Sequence, residues 1–324
     1  MNKKTHVILL ILLVPLLISM PSVPVVAASS PEPAAVDADL SFVPTLVLEH
    51  RGQRWVFPLR DIGFDGIDPT TLNRTLALEW IAGVLERDLN RPARSAYYHE
   101  RRIVPEQAGL KVDRQRIEAW FDRIHEVMGQ PLAVPVNIVK PRLTAAKLRR
   151  LKEKQIGSYL TYYNEWNRNR AHNIHLATEA IDHKVLMPGE VFSFNKTVGP
   201  RSQARGYRPA RIIVKGEYSE GVGGGICQTS STLYNSVDKA GLKIVERQRH
   251  SKQVAYVPKG RDATVSWGGP DFKFQNQLNE PILIVARASN GRLLISIYGP
   301  EEIHAKPRKV PVAPKQAALL EEVE

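Results

Sequence analysis

The chain has 324 residues, a formal net charge of +12 and one cysteine. A single thiol excludes an intrachain disulfide and any zinc site built on cysteines. The charge is uneven: residues 41–140 hold 14 basic and 13 acidic side chains, residues 141–250 hold 19 and 9, so an anionic partner would meet the second half.

Lys3 and Lys4 precede an apolar run from Val7 to Ile18, and Val26-Ala27-Ala28 supplies the small residues of a signal-peptidase site. The run is shorter than the roughly 18 to 20 residues a membrane span requires. The expectation is an exported protein, cleaved after Ala28 (signal peptide 1–28) and extracytoplasmic, either secreted or associated with the cell wall. Only an uncleaved N-terminal segment would touch a membrane. Nucleic acid is not an expected partner there, which leaves cell-wall polymers as the anionic candidates. Residues 29–41, rich in proline, read as a flexible spacer.

Residues 42–140 read as a small α+β domain. Thr45 to Leu48 and Arg54 to Leu59 predict two strands joined by a turn at His50 to Gln53. Asp68-Pro69 marks a helix start, with Leu72, Leu76, Trp80 and Val84 on one face. A second helix from Asp113 buries Ile117, Trp120 or Phe121, Ile124 and Met128 and stops at Gly129, and Val134 to Val139 reads as a closing strand. Its aromatic residues are accounted for by a core, and nothing in it forms a catalytic constellation.

Residues 141–300 read as a mixed α/β domain with a mainly antiparallel sheet, which makes the whole chain α+β. Thr144 to Glu153 predicts a charged bridging helix. Tyr159, Tyr162, Tyr163 and Trp166, interleaved with Arg168 and Arg170, are either a packed interdomain helix or a grip on a sugar face or anionic polymer. Ala171 to Asp182 continues as helix. His172, His175 and His183 lie near one another without a placed third ligand, so no metal and no other cofactor is expected. After a strand at Val191 to Phe194 comes a loop broken by glycine and proline, Gly199 to Arg211. Its arginines, Arg201, Arg205 and Arg208 among them, together with Tyr207, can bind carboxylate or phosphate.

The organising stretch is Gly221 to Tyr234. Gly223, Gly224 and Gly225 mark a turn where the chain approaches something closely. Leu233, Val237 and Ala240 then recur at helical spacing as far as Gly241. Cys227 therefore opens a helix, where unpaired N–H groups and the helix dipole favour a thiolate. A packing cysteine is the plainer alternative, and an anion nest formed by the glycines with Gln228 and Ser230 is a third. A thiol nucleophile needs a base and a group to orient it. His250 is the candidate base, and Asp262 or Asp271 the orienter.

Six strands are predicted beyond the helix: Lys243 to Glu246, Gln253 to Val257, Ala263 to Trp267, Phe272 to Phe274, Ile282 to Ala288 and Leu293 to Tyr298. Asn290-Gly291 pairs the last two through a type I′ turn. Residues 301–324 read as a disordered tail.

Pro188 to Asn195, Gly199-Pro200-Arg201, Gly206-Tyr207, Gly223 to Gln228, Ser230 to Asn235, and His250-Ser251 through Tyr256-Val257-Pro258 to Asp262–Val265 together resemble the VanW family over roughly residues 145 to 300. Residues 42–140 resemble the YoaR-type peptidoglycan-binding domain that often precedes it. The resemblance implies a bacterial cell-envelope protein and assigns no reaction. The function expected is that of an exported protein that binds peptidoglycan or a related anionic wall component through the basic domain at 141–300. The alternative is a cysteine enzyme that cleaves or transfers peptidoglycan stem peptides using Cys227 and His250, with Asp262 as a candidate orienter.

Overall fold

The computed structural model describes residues 43–214 and 217–315. The predicted signal peptide and spacer, and the last nine residues, lie outside that range. Among the described residues no helix is long and apolar enough to cross a membrane.

The first half is built on β1 (Thr45–His50) and β2 (Gln53–Pro58), an antiparallel hairpin. Asp68 caps only a short 3-10 turn; the helix proper, α1 (Arg74–Trp80), starts at Asn73, whose side chain accepts the Leu76 N–H. The second helix, α2 (Arg114–Phe121), is capped by Asp113 as its sequence predicts, and β3 (Pro131–Ala133) adds to β1 in parallel. Leu46, Leu48, Phe57, Ile81, Leu85, Ile117 and Phe121 form the core between these elements. Gly129, at φ 76°, closes the helical segment as predicted.

The second half departs from the sequence reading at its start. Thr144 does cap a helix, Ala145–Arg150, but Lys154–Tyr162 is a strand, β4, and not an interdomain helix. It is followed by α3 (Arg168–Ile181), β5 (Val185–Leu186), β6 (Val191–Ser193), the hairpin β7 (Pro209–Val214) and β8 (Glu217–Val222), and α4 (Ile226–Lys239). Then come β9 (Lys243–Glu246), β10 (Lys273–Gln275), β11 (Ile282–Ser289) and β12 (Arg292–Gly299). The main sheet has the order β4-β12-β11-β5 and is antiparallel throughout. A smaller antiparallel sheet runs β6-β10-β9. Asn290 and Gly291, at φ 50° and 66°, make the predicted turn between β11 and β12.

Two predicted strands do not form. Residues 247–272 are irregular apart from a single bridge between Gln248 and Thr264, so Gln253 to Val257 and Ala263 to Trp267 pair with no sheet. Residues 301–315 are ordered, contrary to expectation. Ile303 is 1% exposed, Arg308 bonds Asp238 at 2.8 Å, and the Tyr159 hydroxyl donates to the Pro311 carbonyl.

Helix α4 is enclosed nearly all round, every residue from Gln228 to Val237 being buried. A helix so placed must satisfy its polar side chains internally, and this one uses them as rivets. Thr232 meets Thr161 on β4 at 2.8 Å, and the Ser236 hydroxyl donates to Ile295 O on β12 at 2.7 Å. Gly157 lets the helix lie against β4, since a Cβ there would collide with the Ser236 carbonyl and Ala240.

Candidate functional site

The loop before Cys227 is shaped by glycine. Gly223 and Gly225 have φ of 92° and 103°, a region open to glycine at no steric cost. Gly224 approaches the hairpin: a Cβ there would lie 2.5 Å from Arg211 O and 2.7 Å from the Ala210 carbonyl. The loop delivers Cys227 to the first turn of α4, where its N–H has no carbonyl four residues back. The thiol is half-buried, with Sγ 3.5 Å from Val265 O and 3.9 Å from the Thr264 hydroxyl.

His250 lines the same cleft as Cys227 and acts on its thiol electrostatically. Its Nδ1 is held by Asp262 Oδ2 at 2.7 Å, which leaves Nε2 free of Asp262. The three residues expected to be catalytic are therefore brought together as Cys227–His250–Asp262. Asp271, the second candidate orienter, lies elsewhere in the network, accepting the Ser193 hydroxyl and the Asn195 N–H. His250 sits in the irregular segment, not on a strand.

Charge is displaced across these three residues. Burial opposes ionisation of Cys227, but the influence of His250 outweighs it and lowers the thiol pKa. For His250, burial again opposes the charged form; Asp262 and Cys227 outweigh it and push the imidazole up to about 9. Asp262 is held below the usual carboxylate range, the cost of burial being exceeded by its bonds to His250. All three shifts favour the charged forms: thiolate, imidazolium and carboxylate.

The polar residues of α4 support this arrangement. Ser230 donates to Ala263 O at 2.6 Å, Ser231 accepts the Ala263 N–H at 2.8 Å, and Asn235 donates to Arg261 O at 2.8 Å. Asp262 is thereby fastened on both sides to the helix that carries the thiol.

Cys227 and His250 line a cleft of about 680 Å³. Arg201, Gly223, Gly224, Gly225 and Gln228, all expected in a ligand site, line it too. Arg205, Arg208, Tyr207 and Ser230 do not. Arg205 and Arg208 point to solvent, Tyr207 is core, and Ser230 is fully buried against Ala263. The Gln228 side chain is committed, accepting from Arg170 at 2.8 Å and donating to Tyr162 O at 2.8 Å. Tyr218, Tyr256 and Trp267, which sequence reasoning assigned to no site, complete the walls with Arg170 and Arg211, which it had offered as possible anion contacts. Arg211 and Tyr218 face each other across the β7–β8 hairpin with the guanidinium 5.0 Å from the ring. The lining carries three arginines and, among the described residues, no Asp or Glu. No group of three or more His, Cys, Asp or Glu suited to a metal occurs among the described residues; His175 pairs with Tyr163 and His172 with Gly206 O.

The family model described as VanW like protein matches residues 169–298, the stretch that carries Cys227, His250 and Asp262. The chain belongs to the VanW family. It is 49% identical over 215 residues to the uncharacterized protein YoaR of Bacillus subtilis (strain 168), covering 66% of this chain and 71% of that protein. It is 26% identical over 145 residues to the vancomycin B-type resistance protein VanW of Enterococcus faecalis (strain ATCC 700802 / V583), covering 43% of this chain and 53% of that one. No solved structure matches it.

Proposed function

We propose that this protein is a cysteine-dependent acyl-transfer enzyme of the bacterial cell envelope, cleaving or exchanging amide bonds in peptidoglycan stem peptides outside the cytoplasm. The observation that carries the reading is the Cys227–His250–Asp262 group opening onto a substrate-sized cleft. The setting is supported by the family, one relative of which is named a vancomycin resistance protein, by the signal-like N-terminal sequence and by the basic lining. Residues 42–140 would hold the protein to the wall.

In this reaction the Cys227 thiolate attacks the amide carbonyl, forming a C–S bond. The tetrahedral oxyanion is met by N–H groups at the start of α4. Collapse breaks the C–N bond, and the His250 imidazolium gives its proton to the leaving amine. A thioester remains on Cys227. Neutral His250 then takes a proton from water, or from an acceptor amine, as that nucleophile attacks; the C–S bond breaks and the thiolate returns. Asp262 keeps the ring oriented and balances its charge in both halves.

The test is incubation of the purified protein with muropeptides, followed by mass spectrometry of both products and protein. A shortened or exchanged stem peptide, and an acyl adduct on Cys227 that hydroxylamine removes, are expected, and both vanish in Cys227→Ala. Binding of muropeptides that is retained by Cys227→Ala, with no product from the native protein, would establish instead a wall-binding protein that uses the same arginine-lined cleft.

A further inference from the structure

The arginine beside the Cys227 loop bears on which amide is cut. Arg201 lies directly beside the nucleophile loop: a Cβ placed on Gly223 would come within 3.0 Å of the Arg201 Cβ, so the glycine makes room for the arginine stem. The stem crosses the Phe194 ring, with the guanidinium 5.8 Å from its centre. The head is anchored by two neutral acceptors, Gly199 O at 3.1 Å and Asn195 Oδ1 at 2.7 Å.

A guanidinium has five N–H donors, so donors remain after these two bonds. Among the described residues no carboxylate lies within 4 Å of Arg201. Burial makes its charged form costly and lowers its pKa; Cys227 and Asp271 act in the opposite direction, and Asp271 is already occupied by Ser193 and Asn195. A half-buried, anchored cation with no carboxylate within 4 Å, lining the same cleft as the thiol, is suited to hold a ligand carboxylate.

Resting on the reading of Cys227 as nucleophile, we propose that Arg201 holds the free C-terminal carboxylate of the substrate, so that the enzyme removes or exchanges the terminal residue of a peptide and does not cut within a chain. One residue advances the backbone by about 3.8 Å. A carboxylate one residue beyond the scissile carbonyl therefore falls within reach of a guanidinium that flanks the attacking sulfur. The leaving group is an amino acid, which departs with its carboxylate on Arg201 and with the proton from His250 on its new amine.

The proposal is tested without any substrate by comparing two alkylating reagents on Cys227. Iodoacetate and iodoacetamide both lose iodide to the thiolate and differ in carrying a carboxylate or a neutral amide. The readout is the ratio of their second-order rates, set against the same ratio for free cysteine. We expect the native protein to favour iodoacetate by about tenfold over that reference, with a rate that saturates in iodoacetate. Arg201→Gln should bring the ratio to within about twofold of free cysteine, and Arg201→Lys, which keeps charge but loses the fork, should fall between.

An unfolded variant would also give the free-cysteine ratio, so each must retain a cooperative melt and the lowered thiol pKa. A ratio that Arg201→Gln leaves unchanged overturns the proposal, and if the thiol is still fast toward iodoacetamide the acyl-transfer reading stands. A thiol unreactive to both reagents overturns both. Matched acetylated dipeptides ending in a free acid or an amide then extend the test to turnover, and equal cleavage of the two would also overturn it.

Discussion

Asp262 Oδ2 accepts both the backbone N–H and the ring Nδ1–H of His250, at 2.6 and 2.7 Å. One oxygen therefore fixes the peptide carrying the base and the direction in which the ring faces. Asp262→Asn replaces that acceptor with an amide that cannot balance an imidazolium. Turnover is expected to fall by roughly a hundredfold or more, and the midpoint of Cys227 alkylation to move to higher pH. An unchanged pH profile in this variant would remove Asp262 from the mechanism.

His250→Ala isolates the influence of burial on the thiol. Burial is the largest single influence on Cys227 and acts against the thiolate; without His250 it is opposed only by Thr264 and the Val265 backbone. The apparent pKa from iodoacetamide rates should therefore rise above the ordinary thiol value of about 8.5. A value that stays low would credit the helix terminus and not the histidine.

The same pair sets a dependence of stability on pH. His250 is raised from 6.5 to about 9, so its contribution is complete below 6.5 and lost as pH rises through about 9. Cys227 is lowered from 9.0, so its contribution is present above that value and lost as pH falls through its folded value. Where the two ranges overlap, on the acid side of 9, the folded protein keeps one proton on His250 and the unfolded chain keeps one on the thiol, so the two slopes cancel. The difference in Tm between native protein and His250→Ala should be level with pH there. Thermal melts on the acid side of pH 9 measure this, and a steady slope in that difference immediately below 9 would contradict the ion pair.

Gly224→Ala puts a methyl group into the backbone of Arg211 and Ala210, and Gly225→Ala forces φ of 103° on a residue with a Cβ that meets Arg170 Cγ at 2.8 Å. Each should cost about 1–3 kcal/mol. Because the loop aims the thiol, alkylation should slow more than the loss of Tm implies. Retained reactivity alongside a lowered Tm would make the glycines structural only.

Ile303 and Arg308 make residues 301–315 part of the fold. Ile303→Ala should cost about 2–5 kcal/mol, as is usual for a buried isoleucine. A chain ending at Pro300 should lose at least as much, since Asp238 also loses Arg308. Differential scanning calorimetry of the two proteins tests this, and unaltered melting would return the segment to the status of a tail.

Much of the site was legible because its signals are local. A glycine run followed by a helical stripe placed Cys227, and His250 and Asp262 are only twelve residues apart. Elsewhere local signals misled for identifiable reasons. Tyr159, Tyr162, Tyr163 and Trp166 fall at helical spacing after a true helix, but the strand that holds Tyr159 and Tyr162 is fixed by pairing with β12, 130 or more residues away, and Tyr163 and Trp166 follow it in irregular chain. Gln253 to Val257 and Ala263 to Trp267 have β-branched and aromatic residues because they bury side chains at the cleft, Tyr256 and Val265 among them, without any neighbouring strand. The arginines that line the cleft, Arg170 on α3 and Arg211 on β7, come from separate elements that only the folded chain unites. Residues 301–315 are poor in aromatics, yet one isoleucine and one arginine hold them.

Thr161, Gly157 and Ser236 have a further consequence. They tie the helix bearing the sulfur to the broadest sheet of the protein, so the attacking atom has a fixed address. Its proton carrier sits in a stretch of chain secured by a few side-chain bonds and a single bridge. Local loosening of that stretch would part acid from nucleophile while the rest of the molecule stays folded, leaving an idle protein that needs no refolding to resume work.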